Sequence, residues 1–401
     1  MTARLAVQAD CPPTPQQLEY RPMSKAVKRL EHHLPVDLGP ADAPRWHKVA
    51  RVAAWVLFAA VLVTVVVQFQ HRTHKDLRKW EQAVAAGRAD ATVYPDTPGA
   101  LSRWRKAVEQ FWEGRNIYAA PGQGREPGGP EKVNLHPNMP FVVVLLTPFA
   151  AMPIPAMTLT WNLLKVAAII STLLMVARLV APPGRKCPDW VIGLALLWTV
   201  LLIKADVQHG NTNVLVMWAI VAHLWLFRRG RPLASGAALA LAICLKMTPA
   251  IFVLYWLYQR GWKVLAGTLL FGLVFAVVVP AAIVGPARYV ELTDTWYHNL
   301  IEPGLLEGQF YPIHVNQSLP GTAARYLLDG KHGDIGWNPD DHPDYAAATR
   351  LGVIEHGWIN VASLTIAQAK MVVRGGQVAI VLLVGWAIGW RKLARDDPRR
   401  A

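Results

Sequence analysis

Between Asp206 and Lys263 the chain alternates apolar runs with two kinds of polar cap, and this pattern constrains the fold more than any other feature. The caps read in order DVQHGNTN, RRGR, KMTP and QRGWK; the runs between them are Val214 to Phe227, Leu233 to Leu245 and Ala250 to Tyr258. Every second cap is densely basic (Arg228, Arg229 and Arg231; then Arg260 and Lys263), whereas the others carry neutral polar side chains with a single cation (Gln208, His209, Asn211 and Asn213; then Lys246 and Thr248). If the runs are helices that cross a bilayer, the two kinds of cap fall on opposite faces. Lys/Arg-rich loops mark the cytoplasmic side. Polar side chains held at one face of a helical bundle are costly in hydrocarbon and usually mark a site, so the amide-rich face is where chemistry is expected.

Composition agrees. The 401 residues are 53% hydrophobic with a mean hydropathy of +0.23, and the apolar residues are grouped into runs with basic ends. Several runs approach the ~20 residues that cross a hydrocarbon core. Lipid offers no partner to an unpaired backbone group, so the class is an all-α polytopic membrane protein. The formal charge of +14 sits largely in the basic loops and both tails, which argues against nucleic acid as the partner. Cys11, Cys187 and Cys244 have neither metal-ligand spacing nor the pattern of a disulfide framework.

Residues 1–46 are polar, Pro-punctuated and basic, and read as a cytoplasmic tail. A multi-span region follows over 47–390, and 391–401 form a basic cytoplasmic end. Eight crossings are expected: 52–70, 157–179, 190–203, 214–227, 233–245, 250–258, 264–284 and 371–390. Two outer loop regions, 71–139 and 285–370, lie between them. The first holds two similar amphipathic pieces, DLRKWEQAV from Asp76 and LSRWRKAVEQFW from Leu101, both expected as short surface helices. The apolar run after Asn138 is broken by Pro140, Pro148 and Pro153 and reads as re-entrant or interfacial.

On the amide-rich face, Asp76 stands about six residues past the first run, where a carboxylate could act as a general base or cap a helix. Asp90 and Asp96 compete with it. Asn211 and Asn213, an i, i+2 pair opening a run, either aim two amides into one cavity or cap a helix. Lys246 ends an apolar run away from the positive-inside face. It either neutralises an anion at the lipid boundary, a phosphate being the obvious candidate, or snorkels to headgroups. In FYPIHVNQSLPG, His314, Asn316, Gln317 and Ser318 form a polar knot between aromatics, a binding loop or a hydrogen-bonded turn. Walker, HExxH, GxSxG and zinc spacings are missing from the sequence.

Taken together, an acidic residue after the first run, GNTNVLV opening a span, RRGRPLASGAALALAICLKMTPAIFVLYWLYQRGWKVL and a later NQSLPG resemble glycosyltransferase family 87. These are polyprenyl-phosphate-sugar-dependent enzymes of the GT-C fold. The GNTN here stands where the family more often has GQxN, with Asn211 in place of Gln; LKMTP stands for LKPTP and keeps Lys246 and Pro249. The resemblance implies an outer-loop Asp as catalytic base, with Asp76 followed by Trp80 fitting the pattern and Asp96 the second choice. It implies transfer of mannose or a pentose from a polyprenyl phosphate to an acceptor hydroxyl outside the plasma (inner) membrane, with inversion. Lys246 would meet the donor phosphate, and Asn211, Asn213, His314, Asn316 and Gln317 the sugar or acceptor. The implied partners are a membrane lipid donor and a glycolipid, glycan or protein acceptor, with no metal, cofactor or nucleic acid. Relatives continue through further C-terminal spans, so a shortened, inactive relative that binds donor only is one alternative. A lipid-linked-sugar flippase or small-molecule transporter is another, and it would want its acid in mid-membrane.

Overall fold

The computed structural model describes residues 36–37, 45–88, 100–119, 138–181, 185–306, 318–328 and 361–388. Apart from a two-residue parallel pairing of β1 (Val36–Asp37) with β2 (Cys187–Pro188) and one isolated bridge, their regular structure is helical. Five helices are long and apolar enough to cross a membrane. They are α1 (Arg45–Ala85), α4 (Ile154–Val180), α5 (Asp189–His209), the continuous stretch of α9 (Trp262–Leu273) and α10 (Val279–Val284), and α13 (Ile366–Ile388). The chain is an all-α polytopic membrane protein, as its patterning implies.

Four shorter apolar helices fill the bundle: α3 (Pro140–Ala150), α6 (Asn213–Arg228), α7 (Pro232–Leu245) and α8 (Ile251–Tyr258), the last entered through a 3-10 turn at Thr248–Ala250. Each of the eight expected crossings is a helix, but α6, α7 and α8 fall short of the usual spanning length. The run after Asn138 is helical too. Its proline at the first helical position starts α3, and Pro153 ends the connection to α4. At 11 residues it rises only ~16 Å, too short to cross. The remaining helices are α2 (Ala100–Trp112), α11 (Pro286–Trp296) and α12 (Leu319–Leu327).

The first outer region differs from expectation. DLRKWEQAV is not a separate surface helix, and Asp76 caps nothing: α1 runs unbroken for 41 residues, ~62 Å, to Ala85. No Pro or Gly interrupts it, and its polar second half is rich in good helix formers. The turn that ends it contains Gly87 at φ +65°. The second piece is a helix in its own right, α2.

Two ends of the bundle can be told apart by their charge. At the basic end Arg51 of α1 pairs with Asp189 at the start of α5, 2.6 Å apart, and Arg228 of α6 donates to the Leu179 carbonyl of α4 at 2.7 Å. The other end carries the GNTN turn. There the main hydrophobic core gathers Phe69, Leu101, Trp104, Phe111, Met157, Trp161, Val216 and Leu245 from α1, α2, α4, α6 and α7.

α7 and α9 approach until their backbones touch. A Cβ on Gly236 would stand 2.4 Å from the Val264 carbonyl oxygen, and one on Gly267 2.6 Å from that of Leu233. Small residues are what allow such approach between helices in lipid. Beside this contact, His223 of α6, Ser235 of α7 and Trp256 of α8 form a fully buried knot. The Trp256 indole N–H donates to His223 Nε2 at 2.9 Å, so a neutral imidazole carries its proton on Nδ1, facing Ser235 Oγ at 2.8 Å. That hydroxyl donates to the His223 carbonyl at 2.9 Å. A serine nucleophile would need the histidine to accept its proton; here the polarity is reversed and every group is used. The knot ties three short helices together.

At the opposite end, α4 holds the chain that leaves α5. Lys165, fully buried, donates from Nζ to the Asp206 carbonyl oxygen at 2.6 Å, and the same nitrogen lies 2.9 Å from Asp206 Oδ2. One ammonium N–H is directed at the main chain, and the carboxylate beside it is held as an ion pair. One turn earlier on the same helix face, Trp161 Nε1 donates to the Gly210 carbonyl at 3.1 Å. Two side chains of one helix thereby clamp the backbone on both sides of Gln208.

Two outcomes follow for purified protein in detergent or nanodiscs. Lys165→Met strands the Asp206 carboxylate in the bundle and is expected to cost about 3–5 kcal/mol, read as a lowered thermal midpoint. Lys165→Met/Asp206→Leu should recover much of that loss, and a double variant as unstable as the summed singles would show that the two groups do not act as a pair. His223→Phe removes the acceptor of the Trp256 N–H and is expected to cost about 1–3 kcal/mol, whereas Ser235 should remain unlabelled by a fluorophosphonate probe.

Candidate functional site

The GNTN turn is a sharp reversal between α5 and α6. Gly210 closes α5 at φ +68°, a conformation that suits glycine. There is no room for a side chain either, since a Cβ would meet Leu101 Cγ at 2.9 Å. The amphipathic α2 therefore rests directly on the turn. It is pinned there by Arg105, which donates to the Met152 carbonyl at 3.0 Å, and by the edge-to-face pair Trp104–Trp161, 5.3 Å between centroids.

Across the turn, Asn213 is the first residue of α6 and Thr212 beneath it is buried. The α7 helix ends at Leu245, and Lys246 adopts an extended conformation, φ −161° and ψ 129°, that swings its side chain out of the helix. Lys246 Nζ donates to Asn213 Oδ1 at 3.0 Å, joining the GNTN and KMTP caps over 33 residues of sequence. Both side chains are exposed at the rim, directly above Val216 and Leu245 of the main core. An ammonium on this rim, held by one neutral amide and by no carboxylate among the described residues, keeps donors free for an anion. Asn211 is half-buried and makes no side-chain hydrogen bond to the described residues, so its amide is available as well.

Asp76 lies on the polar extension of α1. It shares a helix face with Phe69 and Thr73, both buried against the bundle, and is itself half-exposed. No cation lies within ion-pair distance of it among the described residues. Arg51 and Arg72 on α1 are separated by ~32 Å of helix rise, close to the hydrocarbon thickness of a bilayer. Asp76 lies a further ~6 Å beyond Arg72, past the apolar span and not within it. Asp90, Asp96, His314, Asn316 and Gln317 lie outside the described residues.

A second polar layer closes the same end. Asn116, in the turn after α2, donates to Glu291 and Thr295 of α11 at 3.1 and 2.9 Å, and Asn299 donates to the Tyr118 carbonyl at 2.9 Å. The buried Tyr118 hydroxyl donates to the Asn138 carbonyl at 2.7 Å; burial pushes this phenol well above its ordinary pKa and keeps it a neutral donor. Arg288 reaches the Phe111 carbonyl. His298, exposed, is raised above its usual pKa chiefly by its hydrogen bond to Glu302 at 2.6 Å, with Asp294 adding to it. No group of three His, Cys, Asp or Glu among the described residues could hold a metal ion.

Sequence reading found Lys246 and Asn213 but not the Lys165 and Trp161 clamp behind them. A signal existed: Lys165 and Asn162 interrupt an otherwise apolar run, and an ionisable residue inside a span is seldom idle.

Comparison with known proteins gives this geometry a context. The chain is similar to the polyprenol-phosphate-mannose-dependent alpha-(1-2)-phosphatidylinositol mannoside mannosyltransferases of Mycobacterium tuberculosis and Mycolicibacterium smegmatis. The first is 25% identical over 260 residues, covering 61% of this chain and 58% of that protein. The second is 23% identical over 316 residues, covering 75% and 65% respectively. A pentamannoside mannosyltransferase of M. tuberculosis is 28% identical over 212 residues, 50% of this chain and 43% of that protein. The matched stretches thus span less than two thirds of these relatives' own lengths. No solved structure matches. The model of glycosyltransferase family 87 matches residues 137–401, a region that holds Asn211, Asn213, Lys246 and the NQSLPG motif and begins after Asp76 and Asp96. With that match over most of its length, the chain belongs to glycosyltransferase family 87.

Proposed function

We propose that this chain is an integral-membrane glycosyltransferase that moves a hexosyl group, mannose in the favoured reading, from a polyprenyl phosphate to an acceptor hydroxyl. The reaction is assigned to the GNTN end. By the positive-inside bias of the loops at the other end, that end is extracytoplasmic and the N-terminus cytoplasmic. The observation that carries the reading is Lys246, held by Asn213 on an exposed rim opposite the basic loops, in a chain of this family. Similarity to enzymes that depend on a polyprenol-phosphate-mannose donor favours mannose over a pentose.

In this reaction the acceptor oxygen attacks the anomeric carbon from the face opposite the phosphate. The C–O bond to phosphate breaks, its electron pair leaves with the polyprenyl phosphate, and the configuration inverts. The leaving group is already a weak base, so it needs charge neutralisation more than a proton, and Lys246 supplies that at the lipid boundary. The acceptor proton goes to a carboxylate, assigned to Asp76 with Asp96 as the second choice. Asn211 and Asn213, with His314, Asn316 and Gln317, orient sugar and acceptor hydroxyls. The scheme asks for no metal or cofactor; its partners are the lipid donor and a glycolipid, glycan or protein acceptor. A transporter is disfavoured by the position of Asp76 beyond the apolar span, since transport sites lie near the midplane.

The test is sugar transfer from radiolabelled polyprenyl-phosphate mannose and pentose by membranes containing the full chain. Lys246→Gln is expected to lower the rate about 100-fold or more, with Lys246→Arg retaining a larger share. Asp76→Asn should abolish transfer while donor binding persists. If Asp76→Asn and Asp96→Asn both match wild type, neither is the base. If wild type moves no sugar from either donor to acceptor-bearing membranes, the transferase reading fails.

A further inference from the structure

The seam between α1 and α5 is not used by the proposed reaction. These neighbours run in the same direction: Arg51 meets Asp189 at the basic end, and at the other end α1 and α5 together line a cavity of about 560 Å³. The cavity is bounded by Val67, Gln68, Phe69, His71 and Arg72 of α1 and by Gln208 of α5. From Arg51 to Arg72, and from Asp189 to Gln208, the helices rise ~32 and ~29 Å, about one hydrocarbon thickness. The ion pair and the cavity are therefore spaced along the helices as two headgroup levels of one bilayer would be.

The chemistry of the cavity is cationic and amide-rich. Its ionisable residues are Arg72 and His71, and neither forms an ion pair or hydrogen bond with another described residue. Lys204, exposed one turn before Gln208, adds a third basic group beside it. Two carboxylates are near in sequence and neither neutralises Arg72. Asp206 is engaged inward by Lys165, and Asp76, one turn beyond Arg72, is not within ion-pair distance of it. Below the cavity each helix presents an apolar stripe left largely uncovered by the described residues: Val63 and Val67 on α1, Leu197 and Leu201 on α5, all more than half exposed. Polar donors at headgroup depth above two apolar stripes match a molecule with an anionic head and hydrocarbon chains.

We propose that this cavity binds the phosphate of a lipid in the leaflet at the GNTN end, with Arg72 as its charge partner, Gln68 and Gln208 as hydrogen-bond donors, and the chains lying along the α1–α5 seam. The cavity lining includes neither Lys246 nor Asn213, so it is distinct from the rim assigned to the reaction. The inference rests on the seam and not on the assignment of the transferase reaction. The lipid is either a phospholipid or a prenyl phosphate, which share this chemistry.

The test uses the full chain in phosphatidylcholine nanodiscs, titrated separately with short-chain phosphatidylglycerol, a short-chain prenyl monophosphate and inorganic phosphate, with bound ligand read by native mass spectrometry. At least one lipid phosphate is expected to bind more tightly than inorganic phosphate. Arg72→Gln/Gln208→Leu should lower that affinity about five- to tenfold, and Arg72→Lys should restore most of it. Loss confined to phosphatidylglycerol assigns the seam to a phospholipid; loss confined to the prenyl monophosphate assigns it to a prenyl lipid. Unchanged affinity for both lipids in a variant that elutes as wild type on gel filtration overturns the site. Inorganic phosphate binding as tightly as either lipid, with the same dependence on Arg72, overturns its lipid character. Because the readout is binding, failure of sugar transfer leaves this result interpretable, and the reverse also holds.

Discussion

The GNTN end of the bundle depends on one clamp. Lys165 and Trp161, a turn apart on α4, hold the carbonyls of Asp206 and Gly210. The segment between them is the end of α5 and the start of a sharp reversal, where backbone groups have lost their helical partners. In a lipid-embedded bundle such groups must be satisfied by protein, because hydrocarbon offers nothing. A buried lysine is costly unless its charge is met, and Asp206 meets it. The clamp thus solves two problems with one pair of residues. It neutralises an intramembrane charge and fixes the turn from which Asn213 reaches Lys246.

The short helices follow the same logic. α6, α7 and α8 do not reach the length of a normal span, yet buried polar contacts and a close backbone approach tie them to their neighbours. The His223–Ser235–Trp256 knot replaces the contact area that longer helices would supply, and the Gly236–Gly267 approach lets α7 and α9 pack backbone to backbone. α1, at 41 residues, is far longer than these central helices.

Much of this was legible in the order of residues. Lys246 and the GNTN asparagines stood out because a lone cation and paired amides at the ends of apolar runs contradict the loop charge elsewhere. The structure places Asn213 and Lys246 in hydrogen-bond contact. The reading of DLRKWEQAV as a surface helix went wrong for a local reason: the change from apolar to polar at His71 marks where the lipid ends, and it is no signal for the helix to stop. Helix termination needs a breaker, and the first glycine comes only at Gly87. Lys165 was visible as an oddity within an apolar run, but its partner could not be read, since Asp206 lies on another helix.

The sequence by itself determined the class, the axial positions of the polar caps and the chemical character of each end, because these depend on periodicity, charge and the energetics of water against hydrocarbon. Only the tertiary structure decided which caps meet. Contacts such as Lys246 with Asn213, Lys165 with Asp206 and Arg72 beside Gln208 join residues 33 to 136 positions apart. They are set by how helices rotate and pack against one another. Rotation about a helix axis leaves hydrophobic patterning nearly unchanged in an all-apolar span, so the pattern cannot specify it; side-chain fit and the pairing of buried polar groups do.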